Sequence, residues 1–168
     1  DPQLLYRRQY IAGPSLPPQF AMWRQIKFSN AFIIGCHPEL EVAEASNQQG
    51  RIVCLGHILD PLRCEQTNGQ IIDNLLATGK DFVALERALS IVGGRWVIFV
   101  ELSGERRVYH DAGGHKSTFW YRDPCSREIW IASEPSLFKD SLGIVADEKL
   151  VLQFKEAKYQ NSWVCELT

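Results

Sequence analysis

Short apolar runs bounded by turn residues fill most of this chain, and a helical period takes over in one central stretch. Met22 to Cys36 reads as two strands, MWRQIKF and AFIIGC, with Ser29-Asn30 between them and Pro38 closing the second. A further short strand is expected near Leu40 to Ala43, then a turn over Ser46 to Gly50. Arg51 to Leu59 is a strand with Gly56 inside it, which marks a bulge or a close approach. Thr67 is placed to cap a helix running to about Ala77, with Ile71, Ile72, Leu75 and Leu76 on one face. Asp81 is placed to cap a second helix, to about Ser90. Arg95 to Leu102 and Arg106 to His110 form a hairpin around Ser103-Gly104-Glu105. Thr118 to Arg122 and Glu128 to Ser133 form another, and Pro135 to Phe138 is a helical turn. Ile144 to Phe154 and Trp163 to Leu167 contain strand-like pieces.

Residues 1–20 read as an irregular lead-in, because Gly13, Pro14, Pro17 and Pro18 break any helix. Pro17-Pro18 followed by Phe20 suits an extended plug. Residues 21–168 read as one domain with no convincing linker. The two helices sit together instead of alternating with strands. That argues against a doubly wound dinucleotide fold and for stacked antiparallel sheets with helices outside.

At 168 residues and 45% apolar content, the chain can bury a core without disulfide or metal. The five cysteines are Cys36, Cys54, Cys64, Cys125 and Cys165. Their number is odd and no two are spaced C-x-x-C, which argues against a disulfide scaffold or a structural zinc site. Reduced thiols in a cytoplasmic protein are the expectation. The four histidines, His37, His57, His110 and His115, lack ligand spacing, so no metal site is expected. Lys and Arg number 18 against 20 Asp and Glu, with no basic stripe, so no nucleic-acid partner is expected. No apolar run is long enough to span a membrane, and no signal peptide is visible.

Four segments carry a family likeness. Arg51 to Asp60 reads R-I-V-C-L-G-H-I-L-D, Thr67 to Ile72 reads T-N-G-Q-I-I, and Leu89 to Leu102 reads L-S-I-V-G-G-R-W-V-I-F-V-E-L. His110 to Trp120 reads H-D-A-G-G-H-K-S-T-F-W, followed by I-W-I-A-S-E-P-S-L-F. The stretch from Gly50 to Asp140 resembles the class II glutamine amidotransferase domain of asparagine synthetase-like proteins. The spacing of Asp111, Gly114, Lys116 and Ala132-Ser133-Glu134 is its most specific part. The resemblance implies an α+β fold, the four-layer αββα sandwich of N-terminal-nucleophile hydrolases.

It also implies where chemistry would sit. Family enzymes use an N-terminal cysteine as nucleophile, with its own amine as base. This chain begins with Asp1, and its first cysteine is Cys36. Leu55 stands where the family has an oxyanion-binding Asn, and leucine cannot donate a hydrogen bond. Gly56 is retained, and His57 replaces a Glu. Asn68 stands on the family's glutamine-holding Asp and lacks its charge. Leu55, Gly56, His57 and Asn68 thus mark an old ligand pocket, while Asp111, Gly114, Lys116 and Glu134 read as a structural loop. Asp111 is expected to accept the N–H groups of Gly113 and Gly114.

Three altered roles point to a degenerate glutaminase-like domain of an amide-forming protein. It would act structurally, through an ATP-dependent synthetase-like partner domain or through self-association. No cofactor is expected, because phosphate-binding glycine motifs and the ATP-binding Ser-Gly-Gly-x-Asp are absent. Two alternatives stand beside it. One is a glutamine amidohydrolase with a relocated nucleophile, the candidates being Cys36 with His37, or Cys54. Adjacent strand residues face opposite ways, which weighs against the Cys36-His37 pair. The other is a binding module that uses the old pocket for a small-molecule ligand.

Overall fold

The computed structural model describes residues 5–144. Nine strands and three helices follow in order: β1 (Tyr10–Gly13), β2 (Arg24–Ser29), β3 (Phe32–Cys36), β4 (Val42–Ser46), β5 (Gly50–Leu59), α1 (Asn68–Thr78), α2 (Phe82–Leu89), β6 (Gly93–Leu102), β7 (Glu105–His110), β8 (Phe119–Arg122), β9 (Ile129–Ala132) and α3 (Pro135–Leu142). One sheet has the order β2-β3-β1-β9-β8 and the other β4-β5-β6-β7. Every pairing is antiparallel.

Period-two alternation sorts the side chains into three apolar layers. On β5, Ile52 and Cys54 face α1 and α2, while Val53 and Leu55 face the other sheet. On β6, Trp96, Ile98 and Val100 meet the helices, while Val97 and Phe99 point inward. Tyr10 and Ala12 of β1 face inward too. Ile11 turns outward to join Trp130, Leu137 and Phe138 beneath α3. The layers run helix, sheet, sheet, helix. This is a four-layer αββα sandwich of two antiparallel sheets, the layer order of N-terminal-nucleophile hydrolases in general.

Local chemistry accounts for the element ends. Thr67 accepts the Gln70 N–H, and the Gln70 side chain accepts the Thr67 N–H, closing a capping box at α1. Asp81 caps α2 by accepting the Ala84 N–H at 2.8 Å.

Three expectations change. The lead-in carries β1, the middle strand of the five-stranded sheet, and its four residues are all buried. A side chain at Gly13 would strike the Trp130 ring, so the strand passes close under that indole. The turn at Pro135 continues as a helix to Leu142, ended by Gly143 in the left-handed conformation. The strand expected over Leu40 to Ala43 is displaced to Val42–Ser46. The strand-like pieces expected beyond Ile144 lie outside the described residues. No helix among the described residues is long and apolar enough to cross a membrane.

Candidate functional site

The four pocket residues divide between two layers. Leu55 is wholly buried between the sheets. Asn68, at the first turn of α1, lies on the opposite side of its sheet. Gly56, His57 and Asn68 instead gather around Glu41. Asn68 Nδ2 donates to Glu41 Oε1 at 2.8 Å and to the Gly56 carbonyl at 2.8 Å. Its Oδ1 accepts the Ile58 N–H at 3.2 Å. His57 Nδ1 lies 3.5 Å from Glu41 Oε2, and both side chains are exposed.

The Gly56 N–H, the one backbone donor retained from the expected oxyanion site, donates to the Glu41 carbonyl at 2.8 Å. Gly56 has φ +103, and a Cβ there would lie 2.3 Å from the Arg95 carbonyl oxygen. Glycine is required at this point because β6 comes too close and the conformation is left-handed. Glu41 escaped the sequence reading. It sits 27 residues before Asn68, and only the fold joins them.

The cysteine candidates occupy different cores. Cys36, at the end of β3, is fully buried between the sheets. Cys54 is fully buried between β5 and the helices. Burial pushes both thiols up to about 12, so each is a neutral, poorly nucleophilic SH near neutral pH. His37 diverges from Cys36. Its ring sits edge-on to Trp23, 6.0 Å between centroids, and its Nδ1 accepts the Glu39 N–H at 3.1 Å.

A second polar cluster forms where β1 begins. The Tyr10 hydroxyl lies 2.9 Å from Thr118 Oγ1 and 3.3 Å from the Ser117 carbonyl. Ser133 Oγ accepts the Tyr10 N–H at 2.9 Å and donates to the Tyr10 carbonyl at 3.1 Å. Lys116 Nζ donates to the Arg8 carbonyl at 2.7 Å and lies 5.9 Å from the centre of the Tyr10 ring. Burial, and then the charge of Arg95, hold the Lys116 ammonium below its ordinary pKa. Tyr10 and Thr118 were not singled out from sequence, whereas Ser133 belongs to the Ala132-Ser133-Glu134 segment of the family likeness.

The loop residues Asp111, Gly114 and Lys116 lie together. The buried Asp111 carboxylate accepts N–H bonds from His115 at 2.9 Å and Lys116 at 2.8 Å, not from the two glycines expected. The Gly114 N–H instead closes a turn onto the Asp111 carbonyl. Burial raises the Asp111 carboxyl, but the N–H donors of His115 and Lys116 together with the His115 ring charge and a further backbone contact hold it below the ordinary carboxylate range. Glu134 stands just before α3 and accepts the Ser136 hydroxyl at 3.1 Å.

Among the described residues, no group of three or more His, Cys, Asp or Glu side chains could hold a metal ion. The chain matches no protein-family model and no curated protein.

Proposed function

We propose that this chain is a catalytically degenerate, glutaminase-like domain of an asparagine synthetase-like amide-forming protein. It works as an architectural layer against an ATP-dependent synthetase-like domain or a second copy of itself. The observation that carries the reading is Asn68. Where the family would hold a glutamine ammonium with a carboxylate, this amide is engaged in three hydrogen bonds within the fold. The engaged Gly56 N–H and the two fully buried cysteines weigh the same way. An active thiol needs a base within hydrogen-bond reach and access to substrate.

Glutamate release is the direct test, with glutamine binding followed by calorimetry on the same preparation. The expected result is neither turnover nor binding. Turnover that disappears on Cys36→Ala or Cys54→Ala would favour the relocated nucleophile. Glutamine binding without turnover would favour the small-ligand module.

A further inference from the structure

A cavity of about 450 Å³ opens between the two sheets at the end where β1 runs out into Pro14. It lies apart from the Glu41–Asn68 cluster, and nothing about it rests on the glutaminase-like reading. Its origin is topological. The sheet containing β1 has five strands and the facing sheet four, so the inner face of β8 and β9 is incompletely covered. Register places Trp120, Ile129 and Ile131 on that inner face, and Ile129 is 40% exposed. Val108 of the edge strand β7 faces the same space and is 37% exposed.

The inner wall is aromatic. Phe28, Phe32 and Phe99 meet with ring centroids 6.0–6.4 Å apart. At the mouth, Arg106 is already held by Glu101 at 3.1 Å and by Ser29 at 3.2 Å. Arg127 differs: its side chain makes no hydrogen bond or ion pair among the described residues. Its backbone is nevertheless fixed in a tight turn. Asp123 Oδ1 accepts the N–H groups of Cys125 and Ser126 at 2.8 and 2.7 Å, and the Arg127 N–H donates to the Asp123 carbonyl at 2.9 Å. Glu128 also lines the cavity, and its Oε2 accepts the Ser126 hydroxyl at 3.1 Å.

We infer that this cavity binds a small amphipathic carboxylate, its apolar body against the three phenylalanines and its carboxylate on Arg127. The volume is in the range of small-ligand sites, which pair an apolar wall with a few placed polar groups. Guanidinium matches carboxylate geometry in a paired fashion that an alcohol cannot use.

Decanoate, decanol and decylammonium, each below its solubility or micelle-forming limit, are titrated into the full chain by calorimetry. Decanoate binds roughly tenfold more tightly than decanol, the scale of one charge-assisted hydrogen bond. Decylammonium binds more weakly than either. Arg127→Gln brings decanoate to the level of decanol and leaves decanol unchanged. Val108→Glu, if folded by circular dichroism, abolishes binding of both. If that variant does not fold, Arg127→Gln decides alone. The inference is overturned by equal affinity for acid and alcohol, by preference for the ammonium, or by no binding at all. It is equally overturned if the preference survives Arg127→Gln or binding survives in folded Val108→Glu.

Discussion

A buried amide is stable only when neighbours fill its donors and acceptors, and Asn68 has three such bonds. Asn68→Asp would turn the donor facing Glu41 and the Gly56 carbonyl into a third acceptor. We expect it to destabilise the fold by about 2 kcal/mol, the scale of buried groups left unpaired. Adding Glu41→Gln should recover part of the loss, because the amide introduced there can donate to the carboxylate. Urea melts of the two single variants and the double variant measure this coupling. A neutral Asn68→Asp would mean that the site is open to solvent and able to hold a charge. The cysteines permit a parallel reading of burial. Cys64 and Cys125 are exposed, whereas Cys36 and Cys54 are buried. Maleimide labelling of the native chain at pH 8, mapped by peptide mass, should modify Cys64 and Cys125 and spare Cys36 and Cys54. Rapid native modification of Cys36 or Cys54 would restore that residue as a nucleophile.

Elements whose ends are set by local chemistry are legible in the sequence. Thr67 and Asp81 announce α1 and α2, because each supplies the side-chain acceptor that a helix start lacks. Thr67→Ala and Asp81→Ala should each cost about 1 kcal/mol in a urea melt, with α-helical signal otherwise retained. An unchanged midpoint in either would show that tertiary packing alone fixes that helix start. β1 was illegible for the opposite reason. Its four residues end in Gly13 and are followed by Pro14, both of which read as breakers, and only its neighbours β3 and β9 make it a strand. The site followed the same division. Gly56 announced itself as an anomaly within a strand. Glu41 did not, because its bond to Asn68 spans 27 residues. The cavity beside Phe99 depends on two sheets of unequal strand number and has no local signature.

At the scale of the whole molecule, two segments carry the chain between the sheets, residues 37–41 from β3 to β4 and residues 111–118 from β7 to β8. β7 closes the four-stranded sheet and β8 opens the edge of the five-stranded one, so the segment between them crosses from layer to layer. Asp111 secures that crossing. Its own N–H donates to the Trp96 carbonyl at 3.0 Å, and its carboxylate holds the N–H groups of His115 and Lys116. Lys116 then ties the far end to the Arg8 carbonyl, just ahead of β1. The folded state lowers the Asp111 pKa below its unfolded value, so folding favours the ionised form. The resulting stability is present above the unfolded pKa, about 3.9, and is lost as pH falls through the lower folded value. Asp111→Asn removes that contribution at every pH. It should destabilise the protein by about 1–3 kcal/mol at neutral pH, because one acceptor must serve where a carboxylate served two donors. The difference from the parent should shrink as both are acidified below about pH 4, where the unfolded chain begins to take up the proton that the folded carboxylate still resists, and should vanish once pH falls through the lower folded value. Urea midpoints of parent and variant between neutrality and pH 3 test this. Curves that stay parallel throughout would mean that Asp111 does not supply the acid sensitivity of the crossing. Convergence in acid would identify the ionised carboxylate as what secures the β7–β8 crossing.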